Sequence, residues 1–165
     1  MTPAYIALGS NLGDPPAQLK AAVAALARLP RSRLARLSRV YRSAAVGPGS
    51  QPDYLNAAAL LITALPPMPL LRALQAIETG QGRVRSGRWA ARTLDLDLLL
   101  YGDLTIDTPE LQVPHPRMAR RNFVLYPLLD ISGRNLQLPG GTDLGTLMLE
   151  CPRGELEETC LELQQ

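Results

Sequence analysis

Asp95 and Asp97 stand two residues apart in the run Arg92-Thr93-Leu94-Asp95-Leu96-Asp97-Leu98. Successive side chains of a strand point to opposite faces, so the two carboxylates share one face and Leu94, Leu96 and Leu98 the other. Their Cα atoms would lie roughly 6.5–7 Å apart. Two carboxylates side by side repel, and partial burial raises the cost of ionising both. A divalent cation resolves the conflict, and hard oxygens completed by phosphate and water suit Mg2+. The plainer alternative is an amphipathic strand whose polar face happens to be acidic. Against it stand Arg83, Arg85, Arg88 and Arg92, immediately upstream in GRVRSGRWAARTLDLD. Guanidinium forks match phosphate oxygens bidentately and stay charged at any working pH. A cationic loop leading into an acidic metal pair is what a nucleoside triphosphate site requires. Gly82 and Gly87 permit that loop to move as a lid over substrate, the alternative being a solvated basic loop.

A flat heterocycle needs aromatic faces, and the chain has one Trp, one Phe and five Tyr. Trp89 lies inside the basic loop, Tyr54 opens an apolar run, and Phe123 follows Arg120-Arg121-Asn122. Two such rings can sandwich a heterocycle, although each alone is more often core. Asn56 shares the strand face of Tyr54 and offers both a donor and an acceptor to the edge of a ring. A buried amide needs partners, which makes Asn56 hard to read as mere filling. His115 is fixed between Pro114 and Pro116 and is read equally as a phosphate donor or as a structural histidine. Ser10, in the turn Gly9-Ser10-Asn11, is read as turn and capping chemistry, with no histidine near it in sequence.

Composition narrows the field. Sixteen of the 17 basic residues are arginine, Lys20 is the only lysine and His115 the only histidine. A lysine-bearing P-loop, a zinc site of several histidines and a site of four thiolates are therefore excluded. Cys151 and Cys160 have no C-x-x-C spacing and are expected as free thiols in a reducing cytoplasm. No run approaches the roughly 20 apolar residues of a membrane span. The net charge of +2 conceals a split: residues 150–165 carry five Glu against Arg153, leaving +6 on residues 1–149. Such an excess suits either nucleic acid or a small polyanion.

The elements that must position these residues follow from periodicity. Residues 5–8 read as a strand ending in the turn 9–13. Asp14 reads as an N-cap and Pro15 as the first helical residue, with Leu19, Ala22, Val23, Leu26 and Leu29 carrying a helix to about 29. Residues 34–42 suit a half-exposed strand, 46–53 a loop and 54–63 another strand. Pro66, Pro67 and Pro69 open a second helix with Leu70, Leu71, Leu74 and Ile77 on one face. Residues 80–91 read as a loop, 94–101 as a strand, and 104–107 as its hairpin partner. The order β-α-β-β-α-β predicts an α+β fold, the ferredoxin-like plait, with helices packed on an antiparallel sheet. Short helices after Pro116 and over 143–150 are available as a further layer, and 165 residues suit a single domain, 1–165.

Taken together, YIALGSNLGD, QPDYLNAA, GRVR, RWAARTLDLDLLLYGD and VPHPRMARRNFVLYPLLDI resemble the 6-hydroxymethyl-7,8-dihydropterin pyrophosphokinase family from Tyr5 to about Ile131. The pairing of RTLDLD with VPHPRM is the specific part; residues 132–165 match no motif. The resemblance implies transfer of the β,γ-diphosphate of ATP to the pterin hydroxymethyl group, with release of AMP, in folate biosynthesis. It implies that Asp95 and Asp97 bind two Mg2+ ions, and that Arg83 and Arg92 stabilise charge on the phosphates. Arg85, Arg88, Trp89, His115 and Arg121 fall at ATP-holding positions. Tyr54 and Phe123 fall at pterin-stacking positions, Asn56 at the pterin-reading amide, and Ser43, Ala44 and Val46 along the pocket backbone. Many relatives carry Thr-Pro-Pro where this chain has Ser43-Ala44-Ala45, which leaves that segment freer. A cytoplasmic monomer acting on ATP and the pterin, with no nucleic acid or membrane partner, is the expectation. A small RNA-binding module is the runner-up, disfavoured because no strand interleaves aromatics with basic residues. A non-catalytic pterin- or nucleotide-binding protein is the third reading.

Overall fold

The computed structural model describes residues 1–45, 51–81 and 94–164. Strand β1 (Thr2–Ser10) leads through a turn to helix α1 (Pro15–Ala27), then β2 (Ser32–Leu37), β3 (Tyr41–Ser43) and β4 (Tyr54–Thr63). Helix α2 (Pro67–Gly80), β5 (Asp95–Tyr101), β6 (Ile106–Asp107) and β7 (Gln112–Val113) follow. Helices α3 (Asn122–Ser132) and α4 (Leu144–Leu149) and strand β8 (Glu157–Glu158) complete the chain. The main sheet runs β5-β1-β4-β3-β8, with β2 also on β4, and its neighbouring strands pair antiparallel. This is the expected α+β plait.

Its helices begin where the sequence places them. The Asp14 carboxylate accepts from the Ala17 backbone N–H at 3.2 Å and Pro15 opens α1, a cap worth about 1 kcal/mol. Leu19, Ala22, Val23 and Leu26 of α1 and Leu70 and Leu74 of α2 pack on one sheet face against Ile6, Leu8, Leu96 and Leu98. On the opposite face Val124, Leu125, Leu128 and Ile131 of α3, with Leu144 and Met148 of α4, cover Ala58 and Leu60 of β4. The further layer anticipated after Pro116 and over 143–150 is thus α3 and α4.

Three expectations need correction. The turn expected over 9–13 starts later: Gly9 and Ser10 belong to β1, opposite Asn56 and Leu55, and the buried Ser10 hydroxyl donates to the Gln18 side-chain oxygen at 2.6 Å. The strand expected over 34–42 is two strands, β2 and β3, because Ser38 interrupts it. Its backbone N–H still bonds the Ala58 carbonyl at 2.9 Å, while its hydroxyl accepts from the Ala58 N–H at 2.7 Å. The hairpin expected between 94–101 and 104–107 does not form: Ile106–Asp107 pairs with Gln112–Val113. A turn closed by Leu104 N–H to the Tyr101 carbonyl, with Gly102 at φ 55, directs the chain away from β5. The Thr108 hydroxyl, accepting from Leu111 N–H at 3.0 Å, closes the next turn and brings the chain back on itself.

Candidate active site

Cross-strand register builds the site. Tyr41 lies opposite Asn56, Asn56 opposite Gly9, and Gly9 opposite Asp95, a single row across β3, β4, β1 and β5. The next row sets Ala58 opposite Ala7 and Ala7 opposite Asp97. Directly opposed residues project from the same face, so Asn56, Asp95 and Asp97 share the face that α3 covers only in part. Asn56 and Asp95 are two strands apart, about 9.5 Å at the backbone. Only Gly9 lies between them, and that missing side chain leaves a hollow.

The hollow is a cavity of about 240 Å³ lined by Ala7, Gly9, Ser43, Ala44, Tyr54, Asn56, Asp95, Asp97, Arg121, Phe123 and Val124. Asn56 is 4% exposed, and its Nδ2 donates to the Tyr41 carbonyl at 3.3 Å and the Ser43 hydroxyl at 2.8 Å. Both bonds engage the amide nitrogen, so its oxygen is the atom turned to the strand β1 side. An ideal Cβ on Gly9 would stand 3.8 Å from that Oδ1. The Arg121 guanidinium lies over the Phe123 ring, 5.6 Å from its centroid.

Asp97 also borders a second hollow of about 230 Å³, with Leu71, Leu98, Glu110, Gln112 and His115 among its walls. His115 is anchored by its backbone N–H to the Leu99 carbonyl at 2.9 Å. Its Nδ1 accepts from Arg117 N–H at 3.2 Å, which leaves Nε2 as the ring atom able to donate outward. Burial pushes the imidazole pKa below its ordinary value; Asp97 pulls against that shift, while Arg121 and Arg117 reinforce it.

Sequence reasoning passed over three features. Ala7 and Gly9 form the cavity floor, and a glycine within a strand is the signal that a ligand or backbone comes close. Glu78 of α2 is 8% exposed, and its Oε2 accepts from Leu96 N–H at 2.9 Å. Since β5 is an edge strand, this bond satisfies a donor that lacks a strand partner, midway between the two aspartates. Asn11, 2% exposed, donates through Nδ2 to the Pro52 carbonyl at 3.5 Å and ties the turn after β1 to the approach to β4.

Of the residues singled out from sequence, Ser43, Ala44, Tyr54, Asn56, Asp95, Asp97, Arg121 and Phe123 line one cavity, and His115 shares the adjoining hollow with Asp97. Arg83, Arg85, Arg88, Trp89, Arg92 and Val46 lie outside the described residues. The donor set of Asp95 and Asp97 is all hard oxygen and suits Mg2+ when phosphate and water complete the shell. Among the described residues no group of three or more His, Cys, Asp or Glu could hold a metal.

The model of the 7,8-dihydro-6-hydroxymethylpterin-pyrophosphokinase family matches residues 5–133, and the chain belongs to that family. Family membership makes it a pyrophosphokinase and decides against the RNA-binding and non-catalytic readings. The chain is 52% identical over 148 residues to the 2-amino-4-hydroxy-6-hydroxymethyldihydropteridine pyrophosphokinase of Pseudomonas aeruginosa, covering 90% of this chain and 91% of that protein. It is 50% identical to the enzyme of the same name from Haemophilus influenzae, covering 84% and 86%. The crystal structure of wild-type Plasmodium falciparum HPPK-DHPS has the same fold, with a TM-score of 0.70 at 11% identity over 90% of this chain. The chain spans 44% of that longer protein.

Proposed function

We propose that this pyrophosphokinase transfers the β,γ-diphosphate of ATP to 6-hydroxymethyl-7,8-dihydropterin in folate biosynthesis. The pterin hydroxymethyl oxygen bonds to the β-phosphorus and gives up its proton to solvent, the bridge between the α- and β-phosphates breaks, and AMP leaves. The observation that carries this reading is the row Asn56–Gly9–Asp95. It sets an amide-lined, aromatic-flanked hollow directly beside a carboxylate pair.

Each group has a part that its chemistry suits. Tyr54 and Phe123 offer ring faces to the pterin, Asn56 Oδ1 accepts from a ring N–H, and Ser43, Ala44 and Val46 line its edge. The Arg121 guanidinium, lying over the Phe123 ring at the cavity wall, offers its fork to a phosphate oxygen. His115 donates from Nε2 to the nucleotide, with Arg85, Arg88 and Trp89 as its further holders. Arg83 and Arg92 balance charge on the transferred and leaving phosphates. Asp95 and Asp97 hold Mg2+, in our reading two ions; when bound, the metal neutralises phosphate charge and aligns the diphosphate for in-line transfer. Asp97 borders both hollows and so stands where two substrates meet. We read the enzyme as a monomer built as one domain over 1–165. No described helix is long and apolar enough to cross a membrane, and we place the enzyme in the cytoplasm with its small soluble substrates.

Incubation with ATP, Mg2+ and 6-hydroxymethyl-7,8-dihydropterin, followed by nucleotide separation, tests the reaction. AMP formed in proportion to pterin is the expected result. Pterin-dependent ADP would mean γ-phosphoryl transfer and overturn the proposal.

A further inference from the structure

The acidic C-terminal segment lies beyond the part that matches the family model, which ends at residue 133. It does not trail free. Strand β8 adds to the sheet edge at β3, with Glu158 opposite Tyr41 and Glu157 opposite Arg42. Asn122, the first residue of α3, donates Nδ2 to the Arg153 carbonyl at 2.8 Å. At the other end the Thr159 backbone N–H and hydroxyl both donate to the Val40 carbonyl at 2.9 Å. Arg39 meets Glu158 at 3.0 Å and Arg42 meets Glu157 at 3.8 Å. These exposed ion pairs contribute little energy. They do show where part of the charge split along the chain goes, acidic tail against basic β3 edge.

Strand β3 has only three residues, held by β4 on one side, by β8 on the other and by the Tyr41 hydroxyl on Asp130 of α3. Yet it supplies both acceptors, the Tyr41 carbonyl and the Ser43 hydroxyl, that fix the Asn56 amide with its nitrogen inward. We propose that residues 153–159 are a positioning strap that holds β3 and, through it, keeps Asn56 Oδ1 oriented toward the pterin. The strap touches neither substrate. Asn122 and Thr159 anchor its two ends, and Leu156, 4% exposed, buries its middle. The prediction for pterin rests on the proposed function; the effect on Asn56 does not.

The test uses the full chain with Asn122→Ala and Thr159→Val combined, which removes both side-chain anchors. Steady-state kinetics should show the pterin KM raised about tenfold, with the ATP KM and kcat held within about twofold. Thr159→Ser alone keeps the hydroxyl and should retain the wild-type pterin KM. Independently of turnover, the Asn56 side-chain NH2 signals in NMR, assigned by their loss in Asn56→Asp, should be slow to exchange in the wild type and fast in the double variant. An unchanged pterin KM in the double variant, or an equal rise in both KM values, overturns the strap. Unchanged Asn56 amide exchange overturns it too, even if the wild type makes no AMP, an outcome that would count against the proposed reaction alone.

Discussion

One face of the sheet has two ends that differ in what covers them. At one end α3 lies on Ala58 and Leu60, and Leu125 and Leu128 are wholly buried there. At the other end, one or two residues along the same strands, Ala7, Gly9, Asn56, Asp95 and Asp97 line an open cavity. Antiparallel pairing of β4, β1 and β5 runs through both ends. The difference is side-chain size on β1 and the point where α3 starts, at Asn122, so that Phe123 and Val124 form a wall and not a roof. A core and a site can thus share one pleated surface. Large apolar residues beneath a helix make the first, while a missing side chain beside polar ones makes the second.

The largest way to break that contrast is at the open end. Asp97→Ala should lower kcat by about a thousandfold or more while leaving the melting temperature nearly unchanged, since it removes charge handling and no packing. Activity assays beside thermal melts check this; wild-type turnover would remove Asp97 from the site. The covered end should behave in the opposite way. Leu128→Ala, fully buried on the packed side of α3, should cost about 2–5 kcal/mol in chemical denaturation yet keep its kcat at 25 °C. A smaller effect is expected from Gly9→Ala. Its new methyl group fits at ordinary contact distance from Asn56 Oδ1, so the fold stays intact. The methyl fills the cavity floor, and pterin affinity should fall about tenfold by titration.

The smallest effect concerns Tyr41, whose hydroxyl donates to Asp130 of α3 at 2.9 Å. Burial, together with this bond and the Asp130 charge, pushes the phenol pKa up to about 12 from 10.0. A raised folded-state value means the stabilisation is complete below pH 10 and is lost as pH rises through about 12. Tyr41→Phe should cost about 1 kcal/mol at pH 7 and flatten that alkaline loss, as read from melts across pH.

Much of the site was legible because strands obey a two-residue period. Asp95 and Asp97 announced their shared face, Tyr54 and Asn56 theirs, and the helical spacing of Leu19, Val23 and Leu26 placed α1. What escaped depended on register, which no single segment specifies. That Gly9 lies between Asn56 and Asp95 follows only from how β1 pairs on both sides. The register shift of β5 against β1 between Tyr5 and Ile6 was equally invisible, and it moves Leu100 to the α3 side while Leu98 faces the other helices. The broken strand at Ser38 and the small β6–β7 hairpin were misread because their turns are set by side-chain hydroxyls, at Ser38 and Thr108, with local pattern little affected. Nor does any local pattern pair the arginines of residues 36–42, where Arg39 and Arg42 meet the acidic tail and Arg36 the Ile131 carbonyl.

The central claim is that the carboxylate pair at the open end serves diphosphate transfer to the pterin beside it. ATP labelled on its α-phosphorus, followed in the wild type and in Asp97→Ala, tests that claim most directly. The label should appear as AMP, one for each pterin consumed, in the wild type and not in the variant. Label in ADP, or AMP formed by Asp97→Ala at the wild-type rate, would contradict it.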